Sequence, residues 1–184
     1  MTDFDIAPQT LTFWSGLTQA EHEIFGPFTP MTEADLTEIA APYSTPLPQA
    51  YRDFMLQYGP VWFEEGKTPN RFTYLASSPA SGIKEHMEGS IDGFHPAAAM
   101  RRAHLTYFAP TRGTPQNPDE LPRLPADMLP MAADPMGALI LLHVAPDPAG
   151  VFFWESSPHP WGHAQNNSLA SLADDLPSFL AGLT

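Results

Sequence analysis

Apolar positions along the chain fall into short, punctuated groups. In TPLPQAYRDFMLQYGP, Tyr51, Phe54, Met55 and Tyr58 recur at i, i+3, i+4 and i+7, which places them on one face of a helix. Pro48 suits the first turn of that helix, where a missing N–H costs nothing. Gly59 can take a left-handed cap and Pro60 prevents continuation. Upstream, MTEADLTEIAAPYS predicts a shorter helix: Thr32 and Asp35 have capping-box spacing, Leu36 and Ile39 form one buried stripe, and Pro42 ends it. VWF (61–63) and RFTYL (71–75) read as strands around the turn EEGKTPN. AAAMRRAHL reads as a helix and the following LTYF as a strand.

The plainest strand signal is DPMGALILLHVAPDPAGVFFWES. Ala138 to Val144 and Val151 to Trp154 are continuous apolar runs, which implies strands covered on both faces. APDPAG joins them as a hairpin connection, with Gly150 free to take a positive φ. DPMG is a turn in which Asp134 bonds its own backbone, Pro135 fixes φ and Gly137 relieves strain. His143 interrupts the first run and is expected to be a hydrogen-bonded core or half-buried histidine rather than a ligand. The closing SLADDLPSFLAGL holds a last helix, capped by Ser171 or by Asp175 according to whether Pro177 kinks the helix or opens it. Residues 1–30 carry Phe4, Ile6, Phe13, Trp14 and Phe28, too apolar for a disordered tail. They are expected to pack as an arm on a single domain formed by residues 31–184.

Composition narrows the chemistry. The chain has 22 prolines, more than twice the roughly 5% average, spread along its length, so short elements and stiff loops are expected. Proline density also predicts an extended loop from Pro110 to Pro130. With no cysteine, there are no disulfides, iron–sulfur clusters, thiolate zinc sites or cysteine nucleophiles. Eight basic residues against 21 acidic ones give a net charge of −13. That balance opposes nucleic acid and anionic membranes, whose binding relies on lysine and arginine, and favours a basic partner. MTDFDIAPQT is unlike a secretory signal and no apolar run approaches a membrane span, so a cytoplasmic location is expected.

The order of these pieces resembles the SUKH superfamily, the Smi/Knr-type proteins that include many bacterial immunity proteins. Leu47, Pro48, Tyr51, Phe54, Tyr58 and Gly59 match its helix motif, and Asp134 and Gly137 its turn before a strand. Val151 to Trp154 match the next strand, and Ser178 to Leu183 the closing helix. The resemblance implies an α+β fold, a mostly antiparallel central sheet with helices packed against it. It implies a non-catalytic protein-binding domain without a cofactor, most often an immunity protein that neutralises a cognate toxin such as a nuclease. A regulator or scaffold with a different intracellular partner is the second reading.

Candidate partner-binding residues are acids beside aromatics in loops: Glu64 and Glu65 next to Trp62, Asp147 at the hairpin tip, and Glu155 with Trp161. Aromatic anchors supply the centre of an interface and charges its rim. One enzymatic alternative stands beside this. In ESSPHPWGHAQNN, Glu155, His159 and His163 recur every four residues, which on a helix would align three zinc ligands. Pro158, Pro160 and Gly162 argue against a helix, leaving only a loop metal site. Phosphate-binding, dinucleotide-binding and Gly-x-Ser-x-Gly motifs are absent.

Overall fold

A computed structural model of the chain describes residues 1–17, 29–77, 84–108, 121–145 and 150–184. Along these residues the order is α1 (Pro8–Gly16), α2 (Glu33–Ala40), α3 (Gln49–Gln57), β1 (Arg71–Ser77), β2 (Lys84–Ser90), β3 (Gly93–Phe94), α4 (Ala97–Tyr107), β4 (Met128–Ala133), β5 (Leu139–His143), β6 (Val151–Trp154), β7 (Ala170–Ala173) and α5 (Leu176–Ala181). Strands β3 to β7 form one antiparallel sheet in sequence order, and β1 with β2 a separate antiparallel hairpin. The fold is therefore α+β with helices packed on an antiparallel sheet, as expected. Among the described residues no helix is long and apolar enough to cross a membrane.

The apolar runs of β5 and β6 are explained by two cores, one on each face of the sheet. Ile140 and Leu142 join Leu129, Val151 and Phe153 on the first face, against Leu36, Tyr51, Phe54, Phe72 and Phe179. Leu139 and Leu141 turn to the second face with Met128, Trp154, Phe108 and Leu124. Alternation along a strand sends successive side chains to opposite faces, so both must be apolar when both are covered. Each such burial is worth about 1.5–3 kcal/mol.

Local chemistry sets the ends of the helices. The Thr32 N–H and Oγ1 donate to the Asp35 carboxylate at 2.8 and 2.7 Å, and the Asp35 N–H donates to Thr32 Oγ1 at 3.2 Å. These bonds, the side-chain one first, hold the Asp35 carboxyl below its ordinary range. Asp175 caps α5 by accepting from the Ser178 N–H at 2.8 Å, with Pro177 in the first turn, so the proline opens that helix. At the turn before β5, one Asp134 carboxylate oxygen accepts from the N–H groups of Met136 (2.9 Å) and Ala138 (2.7 Å), while Gly137 takes φ +87°.

Four local expectations need correction. VWF is not a strand: Trp62 makes a single bridge to Gly93, and Phe63 and Phe94 bond to Asp92 and Val61. LTYF is not a strand either, since α4 runs through Tyr107 and the Phe108 N–H still bonds to His104. Packing of Phe108 into the second core outweighs the β preference of those residues. The Pro110–Pro130 loop ends early because Pro130 lies inside β4, whose register shifts between Pro130 and Ala132. Strand β3 reaches only Ala132 and Ala133, so the missing N–H of Pro130 leaves no ladder bond unmade on that side. Pro48 is the N-cap of α3 rather than a residue of its first turn. Residues 109–120 and 146–149, which hold most of the expected proline-rich loop and most of APDPAG, fall outside the described residues.

The N-terminal residues lie over α3. Phe4 meets Phe54 edge-on at 5.4 Å, and Trp14 meets Phe63 at 5.3 Å while its Nε1 donates to the Trp62 carbonyl at 2.6 Å. Thr2 donates to the Asp53 carboxylate through both its hydroxyl and its N–H, and Gln49 donates to the other oxygen. Thr2, through its hydroxyl first, pulls the Asp53 carboxyl down to about 2. The EHEIF segment (21–25) is outside the described residues.

Burial also makes the fold sensitive to mild acid. His95, just beyond β3, has its imidazole pushed down to about 4 by desolvation, against an ordinary 6.5. His104 is lowered by the same cause. A depressed histidine binds fewer protons folded than unfolded, so its stabilisation is complete above pH 6.5 and is lost as pH falls from there towards 4. For His95 the loss amounts to about 3 kcal/mol at most, at roughly 1.4 kcal/mol per unit. Melting temperature is expected to fall across that window, well above the range where Asp53 protonates. His95→Gln should flatten the slope; an unchanged slope would mean that His95 is solvated in the folded state.

Candidate functional site

The loop after Trp62 is a compact turn built on Thr68. The Thr68 hydroxyl accepts from the Glu64 N–H at 3.0 Å and donates to the Glu64 carbonyl at 3.2 Å, with Gly66 at φ +78°. The two carboxylates of this turn point outward, but neither is unpaired. Glu64 meets Lys67 at 3.0 Å, and Glu65 meets Arg71 at 2.6 Å. Arg71 also reaches Glu88 of β2 at 3.8 Å. The Trp62 side chain is half-buried against Gly93. Trp62 is therefore part anchor of the β3 end and part surface.

Beyond β6 a second loop is organised by one buried amide. Asn166, 4% exposed, accepts from Trp154 Nε1 at 2.9 Å and donates to the carbonyls of Arg123 and His159, both at 2.7 Å. Ser157, also buried, accepts from the His159 N–H at 3.2 Å and donates to the Gln165 carbonyl at 3.3 Å. Trp161 is half-buried and tied through its N–H to the Pro122 carbonyl. This loop and the end of β1 enclose a groove of 580 Å³, lined among others by Tyr74, Leu75, Lys84, Glu155, Gln165 and Asn167. On its wall the Tyr74 hydroxyl donates to Glu155 Oε1 at 2.9 Å. Burial, and then the neighbouring Glu155 carboxylate, push the Tyr74 phenol up to about 12, so it remains a donor at any physiological pH.

The three residues of the metal alternative are not arranged as ligands. The imidazoles of His159 and His163 stack face to face, 4.2 Å apart at 15°. Lone pairs of stacked rings lie in parallel planes and do not converge on one cation. His163 Nδ1 already accepts from the Gln165 N–H, and Glu155 from Tyr74. Gly162 at φ +90° and the prolines keep the segment non-helical. Among the described residues no three His, Asp or Glu side chains are placed to hold a metal ion.

The five candidate partner residues that the structure describes are not gathered into one patch. Arg71, which holds Glu65, points to the outer face of β1, whereas Tyr74, which holds Glu155, points inward. Glu64 and Glu65 thus lie on a different side of β1 from Glu155. Trp161 sits near Pro122, and Asp147 lies outside the described residues. Sequence reasoning missed Tyr74 and Asn166. RFTYL marks Tyr74 only as a strand residue, and its partner is 81 positions away. For Asn166 the one local sign is an asparagine pair after a proline-rich loop, a pattern that usually means only a turn.

The family model described as SMI1 / KNR4 family (SUKH-1) matches residues 30–182. The match takes in both loops described above. No curated protein and no solved structure matches the chain.

Proposed function

Since the chain belongs to the SMI1 / KNR4 family (SUKH-1), we propose that it is a non-catalytic, protein-binding domain. In this reading it is a bacterial immunity protein of the cytoplasm that neutralises a cognate toxin by direct contact. The observation that carries the choice of partner is charge: −13 on 184 residues is a field that attracts a basic surface. A toxin that acts on nucleic acid is basic because its substrate is a polyanion, and an acidic inhibitor can cover the same surface.

Trp62, Glu64 and Glu65 form the first contact region in this reading, with Asp147, Glu155 and Trp161 as further contributors. Their exposed carboxylates steer approach rather than supply the bulk of the affinity. Glu64 and Glu65 are paired with Lys67 and Arg71, so their reversal to lysine removes two acids and also frees Lys67 to repel a basic partner, while Arg71 keeps Glu88. Pairs this exposed contribute about 1 kcal/mol or less to stability, and the fold should persist.

The test needs the toxin encoded beside the gene, purified and mixed with the protein in stopped flow. Glu64→Lys with Glu65→Lys should slow association at low salt, and the difference should shrink as salt rises, since screening shortens the field to about 8 Å near physiological ionic strength. Association that ignores both salt and reversal would refute the acidic docking. A neighbouring gene that encodes no toxin would refute the immunity role.

A further inference from the structure

Resting on that reading and narrowing it to one place, we propose that the groove between the end of β1 and the loop leading into β7 receives a single arginine or lysine side chain, carried on an extended segment of the protein partner, with Glu155 as its counter-ion. At 580 Å³ the groove lies within the roughly 300–1,000 Å³ of ordinary ligand sites.

Glu155 differs from the acids of the Trp62 loop. Glu64 and Glu65 each already face a cation of this chain, whereas Glu155 pairs with a neutral phenol. Tyr74 occupies only Oε1, and the second oxygen has no partner among the described residues. The phenol is itself fixed: its ring is 4.7 Å from that of Phe153, and the residue is 8% exposed. The carboxylate is therefore held in place before a ligand arrives, which lowers the ordering cost of binding. Tyr74 is a positioning residue that acts through Glu155.

The surroundings suit a long cationic side chain on a peptide. Ala76, on the same face of β1 as Tyr74, and Leu169 offer apolar surface for its methylene stem, while the charged head reaches the carboxylate. Exposed Ser156, Gln165 and Asn167 line the same groove and can bond the backbone of an extended segment. Lys84 is also in the lining, so a cluster of basic residues would meet repulsion there. One cation on an otherwise neutral segment fits best. An anion is disfavoured because Glu155 faces the opening. The two carboxylate regions then divide the work: the Trp62 loop steers a basic surface, and the groove selects one residue of it.

The experiment is an NMR titration of the full chain with a capped Gly-Arg-Gly tripeptide, beside the same peptide carrying citrulline in place of arginine. Citrulline keeps the shape and removes the charge. The arginine peptide should move the amide signals of Tyr74, Glu155 and Gln165 in a saturable way, and the citrulline peptide should not. Glu155→Gln should weaken the arginine peptide roughly tenfold or more, the usual worth of a charge-assisted bond. Tyr74→Phe should weaken it less while leaving the arginine-over-citrulline preference in place. Equal shifts from the two peptides, or shifts confined to the Trp62 loop, would overturn the groove assignment using wild-type protein alone. Failure here with toxin binding intact removes only the groove; peptide binding intact with no toxin partner removes only the immunity role.

Discussion

Gly59→Val is expected to lower the melting temperature by about 4–20 °C, and Gly137→Val by only about 2–8 °C, at about 2–4 °C per kcal/mol for a chain of this size. Both glycines hold left-handed backbone, at φ +74° and +87°, and a β-branched residue there costs about 1–2 kcal/mol. Gly59 carries a second penalty that Gly137 lacks. A Cβ at Gly59 would stand 2.8 Å from Pro30 Cα and closer still to the Thr29 carbonyl oxygen. Both obstacles are backbone, and that backbone is tied down by the Met31 N–H bonding to the Met55 carbonyl at 2.8 Å. Overpacking of this kind adds about 1–3 kcal/mol. Nothing lies within 4 Å of a Cβ built on Gly137, so its cost is conformational alone. Chemical or thermal melts of the two variants check the difference. Equal shifts would mean that the chain entering α2 does not cross Gly59 in solution.

That asymmetry shows what a sequence motif holds and what it omits. The helix motif of Tyr51, Phe54, Tyr58 and Gly59 could be read because its determinants are local: a 3.6-residue stripe and a glycine needing positive φ. The capping box of Thr32 and Asp35, the Asp134 turn and the β5–β6 hairpin were legible for the same reason. That Thr29 and Pro30 press against Gly59 is a long-range fact with no local sign.

Where local pattern is silent or misleading, tertiary context decides. KEHMEGS has no apolar pattern, yet it is strand β2, because seven residues pair in register with β1. LTYF has strand-like residues but finishes a helix whose last turn is buried in the second core. Being acidic or aromatic in a loop is a local property of each candidate contact residue. Whether such residues share a surface depends on strand alternation at β1, and the period-2 rule placed Glu65 and Glu155 on different sides of it. The four-residue spacing of Glu155, His159 and His163 has chemical meaning only on a helix, and the prolines remove that meaning.

The residue whose loss should matter most to the groove is one that composition and spacing never singled out. Asn166→Ala would leave the buried Trp154 indole N–H and the part-buried carbonyls of Arg123 and His159 without this partner. An unsatisfied buried polar group costs about 1–3 kcal/mol, so the variant should lose about 2 kcal/mol or more, the indole N–H contributing most. Asn166→Asp is the sharper probe. It keeps an acceptor for the Trp154 indole but replaces a donating amide with a carboxylate facing two carbonyl oxygens. At neutral pH it should be no more stable than the alanine variant, although it differs from wild type by one atom and a charge. Two readouts separate loop from core. The Trp154 indole N–H should lose protection from hydrogen exchange in the alanine variant and keep more of it in the aspartate variant. In both, the loop from Ser157 to Asn166 should loosen, and with it the wall that holds Glu155 towards the groove. In the alanine variant, which adds no charge to the groove lining, recognition of the arginine peptide should weaken although that carboxylate is untouched. Wild-type melting in both variants, with wild-type peptide binding in the alanine variant, would show that the loop is held by something other than this amide.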